Sequence, residues 1–355
     1  MRAGAARDRA GPGSGRGGAP TAIALSPILS ARYRSRDFER IRAAAPGATI
    51  VTVSMEGLAD GPLDEVEVML RGWLSSEAFD RILTRAPRLS WVHSATSGVE
   101  RALTPAALER GIVVTNARGV FSRPIAEYVM MMILAVSRRL PQLLELQRER
   151  TWQPLEGPEL RDVTVGIVGL GSIGRSVGAL ATAFGCRVVA VRRRGDAEAG
   201  PIRADDEGRP LGEVMLDRVG GPETLPELLA ESDFIVLAAP LTPETERMIN
   251  AETLDMVKPG AWLINVARGR LIDERALLRA LEGGHLGGAV LDTFSDEPLA
   301  ASSPFYDLPN VIVTPHTAWS STRVLDRSVD LFCDNLRRFA TGEPLLNVVD
   351  PSAGY

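Results

Sequence analysis

The stretch that decides the fold is Val165-Gly-Ile-Val-Gly-Leu-Gly-Ser-Ile-Gly174. An apolar, β-branched run predicts a buried strand that ends in a glycine turn, and the apolar pattern after the turn predicts a helix. The three spaced glycines would allow the tight turn, let a pyrophosphate approach the backbone and let the helix pack on the strand, in that order. Orphan N–H groups at the helix start would hold the diphosphate. The predicted contacts in this turn are Gly169, Gly171, Ser172, Ile173 and Gly174.

Three consecutive arginines follow the next predicted strand, which spans 186–191; they are Arg192, Arg193 and Arg194. Near this distance a chain that binds NAD usually carries an acidic residue for the ribose 2′-hydroxyl. A carboxylate would repel a 2′-phosphate, whereas guanidinium groups bind it with charge-assisted hydrogen bonds. The sequence therefore predicts NADP(H), with NADPH preferred over NADH. The alternative is that the arginines form a solvated basic surface.

Composition limits the class of protein. The chain has 355 residues with 45% hydrophobic and 24% charged residues, enough for two domains that each bury a core. A net charge of −5 gives no reason to expect nucleic acid or an anionic membrane as a partner. Two cysteines, Cys186 and Cys333, give neither a disulfide framework nor a metal site, so we expect no metal and a reducing cytoplasm.

The order of predicted elements indicates an α/β protein. Strands alternate with helices from residue 22 onwards, which favours parallel sheets covered by helices on both faces. We predict two Rossmann-like domains that flank an active-site cleft: a flavodoxin-like substrate-binding domain and an inserted dinucleotide-binding domain. The first comprises residues 21–124 and 318–355, and the second comprises 125–317. Residues 1–20 are expected to be a disordered tail, with a transit peptide as the alternative.

Three segments carry further structural expectations. A single long helix is predicted from Pro124 to about Arg150, with a kink at Pro141. Its Met-rich apolar stretch, 129–136, favours a core position or a subunit interface over a ligand site. Segment 195–221 carries seven carboxylates and is expected to be an exposed surface excursion.

Polar side chains follow three predicted strands of the second domain. These residues are Arg268, Glu297 and His316. The carboxyl edge of an open α/β sheet is where ligands bind. Reduction of a 2-keto acid needs a cation for the carboxylate and carbonyl, an acid for the developing alkoxide, and a carboxylate that orients this acid. Arg268, His316 and Glu297 fill these roles in that order, although each taken singly could form a structural ion pair.

Several motifs together resemble the D-isomer-specific 2-hydroxyacid dehydrogenase family, which includes glyoxylate/hydroxypyruvate reductases, D-lactate dehydrogenases and phosphoglycerate dehydrogenases. The resemblance covers nearly all of residues 22–349. Besides the glycine turn, it is carried by Gly111-Ile-Val-Val-Thr-Asn-Ala117, Pro124-Ile-Ala-Glu-Tyr-Val129, Asn265-Val-Ala-Arg-Gly269, Leu291-Asp-Thr-Phe294 and Thr314-Pro-His-Thr317. It implies that Arg268 binds the substrate carboxylate and carbonyl, and that His316 is the proton donor paired with Glu297.

The resemblance implies further site residues. Backbone N–H groups near Ser97 and Gly98 would hold the substrate carboxylate. The additional cofactor contacts would be Pro240, Ala267, Asp292 and His316. This chain departs from the family at Arg192, where many members carry Asp, which again favours NADP(H). It also departs at Phe121 and Ser122, which puts the substrate side chain in doubt.

The function expected from the sequence is NADPH-dependent reduction of a small 2-keto acid, of the glyoxylate or hydroxypyruvate type, to a D-2-hydroxy acid. The enzyme would be a cytoplasmic homodimer. One alternative is a phosphite-type dehydrogenase on the same scaffold, because an arginine can hold any small anion. Another is a catalytically weak NAD(P)-sensing corepressor, because a fold does not fix a function.

Overall fold

The computed structural model describes residues 18–28, 33–193, 202–204, 210–214 and 216–351. Arg194 and most of the 1–20 segment lie outside the described residues. The chain divides into two compact units. Unit 1 comprises Met1–Val120 and Thr322–Tyr355, and unit 2 comprises Phe121–Ser321.

The strands are β1 (Ala22–Leu25), β2 (Thr49–Thr52), β3 (Val66–Arg71), β4 (Trp91–Ser94), β5 (Val113–Asn116), β6 (Thr164–Val168), β7 (Arg187–Val191), β8 (Ile202–Ala204), β9 (Pro210–Val214), β10 (Arg218–Gly220), β11 (Phe234–Leu237), β12 (Trp262–Asn265), β13 (Gly288–Leu291) and β14 (Val311–Val313). The α-helices are α1 (Ser35–Ala44), α2 (Ser76–Arg85), α3 (Pro105–Glu109), α4 (Ser122–Ser137), α5 (Leu140–Arg148), α6 (Ser172–Ala183), α7 (Leu225–Glu231), α8 (Ala251–Asp255), α9 (Glu274–Glu282) and α10 (Val324–Thr341). Short 3₁₀ helices lie at Leu160–Asp162, Pro222–Thr224, Gly269–Leu271 and Pro304–Tyr306.

Unit 1 is built on a five-stranded parallel sheet in the order β2-β1-β3-β4-β5. Successive side chains of a strand point to opposite faces, so each strand contributes to two cores. On β4, Val92 packs into one cluster, whereas Trp91 packs into the other, with Phe332 of α10. The last helix of the chain thus covers one face of the sheet formed by its first five strands.

Unit 2 is built on a seven-stranded parallel sheet in the order β10-β7-β6-β11-β12-β13-β14. β7 and β10 lie on one side of β6, and β11 to β14 lie on the other, whereas β8 and β9 form a separate two-stranded antiparallel sheet. Strand order therefore reverses between β6 and β11, and ligands of open α/β sheets bind at such a switch point. The glycine turn directly follows β6. The two parallel sheets with interleaved helices confirm the predicted fold class.

The prediction of one long helix from Pro124 to Arg150 is wrong. The structure has two helices, α4 and α5, separated at Arg139, which adopts a left-handed φ of 56°. Pro141 lies in the first turn of α5, where the missing N–H has no intrahelical partner to lose. Proline therefore begins the second helix here rather than bending a continuous one.

The prediction that all of 195–221 is a surface excursion is also wrong in its last part. Arg218–Gly220 forms β10, which pairs with β7 at the edge of the sheet. A three-residue strand is too short to show a hydrophobic period, so its sequence carried no signal. Most of the remaining segment lies outside the described residues.

The Met-rich stretch is mostly core. Val129, Met130, Met132 and Ile133 of α4 are buried, whereas Met131 is 52% exposed. Helix α4 packs against α6, the helix that follows the glycine turn. No helix in the described part of the chain is long and apolar enough to cross a membrane.

Two histidines, His93 and His285, lie outside the predicted site. His93 is fully buried on β4, and its Nδ1 lies 2.8 Å from the Thr115 hydroxyl. Burial lowers the pKa of His93 to about 3, so its ring is neutral at ordinary pH. His285 lies in the turn after α9, where its backbone N–H donates to the carbonyl of Ala280.

Candidate active site

The glycine turn after β6 has the geometry that its sequence predicts. Gly169 has a φ of +102°, and a Cβ there would lie 2.5 Å from the backbone nitrogen of Ala239. A Cβ on Gly174 would lie 2.1 Å from the carbonyl oxygen of Gly169. Both positions therefore require glycine. Gly169 requires it for the positive φ of the turn and for its close contact with Ala239, and Gly174 requires it because α6 lies close to the turn.

Gly171 differs because a Cβ on it would meet nothing within 4 Å. It is exposed and is the N-cap of α6, with no side-chain hydrogen bond to the first turn of that helix. Backbone N–H groups at Ser172 and Ile173 lie in that first turn, where a helix has no carbonyl partners for them. Open backbone beside an uncapped helix N-terminus fits the diphosphate of a dinucleotide.

The arginines at the end of β7 lie beside this turn in the sheet, because β7 pairs with β6. The N–H of Arg192 bonds to Gly220 of β10 at 3.0 Å, so the edge strand helps to place it. Arg193 is exposed. A hydrogen bond from Thr242 lowers the pKa of Glu244, and the positive charge of Arg193 contributes to this shift. The acidic side chain of Glu244 therefore lies in the neighbourhood of Arg193, in the loop that follows β11.

Arg268 follows β12 in a turn fixed by Asn265. The fully buried Asn265 side chain accepts from the N–H of Ala267 at 3.1 Å and donates to the carbonyl of Arg268 at 3.0 Å. Arg268 is half-buried, and its Nη1 donates to the Ala267 carbonyl at 2.8 Å. At Gly269 a Cβ would lie 1.9 Å from the carbonyl carbon of Phe294. The missing side chain lets the Arg268 turn approach the segment that leads to Glu297.

Glu297 bonds in two directions. Its Oε1 accepts from the N–H of Phe294 at 3.0 Å, and its Oε2 lies 2.8 Å from Nδ1 of His316. Burial by itself would raise the pKa of Glu297. The hydrogen bonds from His316 and Phe294, with the charges of His316 and Arg268, outweigh burial and hold that pKa below its usual range. The carboxylate is therefore ionised at neutral pH.

An ionised carboxylate can only accept hydrogen bonds, so Nδ1 of His316 must carry the hydrogen of this pair. The other ring nitrogen, Nε2, is then the atom through which His316 can exchange a proton. The His316 side chain is 43% exposed. A ring held by a carboxylate on one side and open on the other suits a proton donor.

His316 lies in a turn after β14 that Asp292 holds. The N–H of His316 donates to the Asp292 carbonyl at 2.8 Å, and the Asp292 carboxylate accepts from the N–H groups of Thr317 and Ala318 at 2.8 and 2.9 Å. His316 has a φ of 49°, a left-handed conformation that persists only when its surroundings enforce it. Asp292, which is 1% exposed, supplies that enforcement.

Trp319 holds the same turn from another side. Its indole Nε1 donates to the carbonyl of His316 at 2.7 Å. The sequence carried no signal for this bond. Asn265 was not among the predicted site residues, although a buried polar residue at the end of an apolar strand was a usable signal.

The predicted substrate loop belongs to unit 1. The Thr96 carbonyl accepts from the N–H of Ala117 at 3.1 Å, the Ser97 carbonyl accepts from Nδ2 of Asn116 at 3.0 Å, and the Gly98 carbonyl accepts from the Thr96 hydroxyl at 2.6 Å. Three successive carbonyls of the loop thus accept hydrogen bonds from donors within unit 1. This fixes the loop in one shape, and successive backbone N–H groups of such a turn can bind an anion.

The structure thus brings Arg268, Glu297 and His316 together in unit 2, at the carboxyl ends of β12, β13 and β14. Gly169, Gly171 and Gly174 lie at the carboxyl end of β6 in the same sheet. Ser97 and Gly98 lie in unit 1, and Arg194 lies outside the described residues.

Comparison with known proteins identifies the family. Residues 130–318 match the sequence profile of the D-isomer specific 2-hydroxyacid dehydrogenase NAD binding domain. The chain is 38% identical over 275 residues to D-3-phosphoglycerate dehydrogenase of Mycobacterium tuberculosis, an alignment that covers 77% of this chain and 49% of that protein. The chain therefore spans about half the length of that relative. It is 33% identical over 293 residues to glyoxylate reductase of Korarchaeum cryptofilum, covering 81% of this chain and 82% of that protein.

Solved structures of 2-hydroxyacid dehydrogenases and reductases superpose on this chain. A D-isomer specific 2-hydroxyacid dehydrogenase from Xanthobacter autotrophicus Py2, in complex with NADPH and MES, superposes with a TM-score of 0.79 at 32% identity, over 96% of this chain and 100% of that one. An NADPH-dependent glyoxylate/hydroxypyruvate reductase from Sinorhizobium meliloti, in complex with NADP and sulfate, gives a TM-score of 0.76 at 27% identity, over 94% and 100%. The protein belongs to the D-isomer specific 2-hydroxyacid dehydrogenase family.

Proposed function

We propose that this protein is an NADPH-dependent reductase that converts a small 2-keto acid, of the glyoxylate or hydroxypyruvate type, into the D-2-hydroxy acid. The observation that carries the proposal is the 2.8 Å hydrogen bond between Nδ1 of His316 and Glu297, with Arg268 close enough for its charge to act on that carboxylate. A proton donor, its orienting carboxylate and an anion-binding cation are the groups that keto acid reduction needs beside a nicotinamide.

The roles follow from the positions of the side chains. Arg268 would bind the substrate carboxylate and polarise the carbonyl oxygen, because its guanidinium provides several donors in a planar fork. His316 would give a proton from Nε2 to that oxygen as negative charge develops on it. Glu297 would hold the ring, through Nδ1, in the orientation that leaves Nε2 to transfer the proton. The loop at Ser97 and Gly98 would bind the carboxylate through its backbone N–H groups.

When bound, the reduced nicotinamide dinucleotide supplies the hydride that the carbonyl carbon accepts. Its diphosphate would lie against Gly169, Gly171 and the first turn of α6. Arg192 and Arg193 would bind a 2′-phosphate, and Pro240, Ala267 and Asp292 are the further proposed contacts. NADPH stays the proposed preference because β7 ends in arginines where a carboxylate would select NADH. The nearby Glu244 opposes that preference and should limit its size.

A second copy of the chain is the proposed partner. Large apolar side chains on and after α4 are exposed in unit 2; they are Met131, Leu140, Leu143, Leu144 and Trp152. Exposed apolar groups of this density mark an interaction surface. Both cysteines are free and buried, in keeping with the proposed location in a reducing cytoplasm.

The experiment measures oxidation of NADPH and NADH by the purified protein with glyoxylate, hydroxypyruvate, pyruvate, phenylpyruvate and 3-phosphohydroxypyruvate. A parallel assay follows reduction of NADP⁺ by phosphite. The expected result is turnover of a small keto acid with NADPH, near-complete loss of turnover in His316→Ala, and unchanged NADPH binding by calorimetry. Arg268→Ala should raise KM and lower kcat together.

His285→Ala is the matched control, because it removes a histidine of the same unit that lies in a turn away from the site. Phosphite oxidation without keto acid reduction would favour the alternative enzyme. Tight NADPH binding with no turnover of any substrate would favour the corepressor. Wild-type turnover in His316→Ala would contradict the mechanism.

A further inference from the structure

The turn that carries His316 is connected to helix α4 by a chain of side-chain hydrogen bonds. The hydroxyl of Tyr128, on α4, lies 2.6 Å from the hydroxyl of Thr314. The Thr314 hydroxyl in turn donates to Oδ1 of Asp292 at 2.6 Å. The three residues lie in separate sequence motifs, with Tyr128 and Thr314 186 positions apart, and no contact among them was predicted.

The direction of each hydrogen bond follows from the number of hydrogens. Thr314 has one hydroxyl hydrogen, and its bond to Asp292 uses it. The Tyr128 hydroxyl must therefore donate to Thr314. Burial raises the pKa of Tyr128 to about 12, so the hydroxyl keeps its hydrogen over the whole working range of pH. The hydrogen bonds therefore run in one direction, from Tyr128 through Thr314 to Asp292. We call these three side chains the relay.

Asp292 is where the relay meets the site. The same Oδ1 that accepts from Thr314 also accepts from the N–H of Thr317, and Oδ2 accepts from the N–H of Ala318. These bonds surround His316, whose left-handed φ of 49° is held by its neighbours and not by its own preference. A shift of Asp292 would therefore move the His316 ring relative to Glu297.

We infer that Tyr128 is a positioning residue for the proton donor. Through Thr314 and Asp292 it holds the 314–318 turn in the conformation in which Nδ1 of His316 meets Glu297. The effect on turnover rests on the proposed function, whereas the effect on the ring does not. Tyr128 is buried in an otherwise apolar stretch of α4, where phenylalanine would pack equally well. The hydroxyl is therefore explained by the relay and not by packing.

The test is Tyr128→Phe, which removes one oxygen and leaves the ring in place. Loss of one neutral hydrogen bond in the relay should lower kcat for keto acid reduction about 2- to 10-fold. KM for the keto acid should stay within about twofold, because Arg268 is not part of the relay. The dissociation constant of NADPH is measured beside it, because Asp292 is also a proposed cofactor contact. The matched control is Tyr306→Phe, a tyrosine of the same unit that is 53% exposed, which should leave all three values unchanged.

A double-variant cycle separates the relay from general destabilisation. Thr314→Val breaks both bonds of the relay, so it should lower kcat at least as much as Tyr128→Phe. Because the Tyr128 hydroxyl acts only through Thr314, the combined variant should be no slower than Thr314→Val alone. Additive losses in the double variant, or wild-type kcat in Tyr128→Phe, would overturn the inference.

A measurement on the free protein is independent of turnover. The ring ¹⁵N resonances of His316, assigned with His316→Gln, should shift in Tyr128→Phe and stay in place in Tyr306→Phe. If the wild type reduces no keto acid but Tyr128→Phe still shifts the His316 resonances, the proposed function is refuted and the relay is supported. An active wild type with unshifted His316 resonances in Tyr128→Phe would refute the relay alone.

Discussion

Replacement of Glu297 by glutamine tests the pair at the centre of the candidate site. The Glu297 side chain accepts from two donors, the N–H of Phe294 at 3.0 Å and Nδ1 of His316 at 2.8 Å. Glutamine has the same shape but offers only one oxygen on its amide. When the His316 ring is protonated, as proton donation requires, one of the two contacts becomes donor against donor in either orientation of that amide. Glu297→Gln therefore breaks the pair without creating a cavity.

The magnitude follows from the kind of bond that is lost. A hydrogen bond between charged groups contributes about 1.5–3 kcal/mol. Because the Glu297 and His316 side chains are 36% and 43% exposed, solvent screening favours the lower end of that range. A loss of about 1.5–2 kcal/mol in the transition state lowers kcat about 10- to 30-fold.

The assay is kcat for keto acid reduction at saturating NADPH across pH, with cofactor binding by calorimetry. In the wild type, the lowered pKa of Glu297 keeps the carboxylate ionised, so Glu297 should cause no acid limb above about pH 5. Glu145→Gln on the exposed face of α5 is the control. A Glu297→Gln enzyme with kcat within twofold of wild type would refute the reasoning.

Four further predictions concern the cofactor turn, the core and the surface. Arg192→Ala should lower kcat/KM for NADPH about tenfold or more and leave NADH nearly unchanged, because a charge-assisted bond to a 2′-phosphate is lost; a wild-type preference for NADH contradicts this. Gly169→Ala should lower the melting temperature and weaken NADPH binding, since its Cβ would lie 2.5 Å from the Ala239 nitrogen at a φ of +102°; calorimetry would show normal affinity if the turn is not the binding site. Because the pKa of His93 is about 3 in the folded protein, the unfolded chain takes up the proton first as pH falls. Stability is therefore lost as pH falls below ~6.5. Between pH 7 and 5 the free energy of unfolding, measured by urea titration, should fall by about 2 kcal/mol more in the wild type than in His93→Gln. Trp152, whose side chain is fully exposed, should stabilise a homodimer; Trp152→Ser should raise its dissociation constant in sedimentation equilibrium, and a wild type that sediments as a monomer at micromolar concentration would contradict the dimer.

Much of the fold could be predicted because its determinants are local. Apolar runs of the strand length located the strands of both sheets, and alternation of strands with helices indicated parallel pairing. Spaced glycines identified the turn after β6, where the positive φ of Gly169 and the contact of Gly174 with that turn depend on residues only a few positions apart. Local rules failed where the signal was short or ambiguous, as at β10 and at Pro141, which begins a helix instead of bending one.

The sequence also indicated which residue types the chemistry needs, and Arg268, Glu297 and His316 were selected because each follows a predicted strand. Their roles stay predictions, but their meeting at one edge of the sheet is a property of strand order, which places β12, β13 and β14 side by side. Only the tertiary structure shows that both oxygens of Asp292 bind the turn of His316 and that Tyr128 reaches Thr314. The physical reason is that periodicity encodes which face of an element is buried, whereas a hydrogen bond between distant side chains depends on how those elements pack in three dimensions.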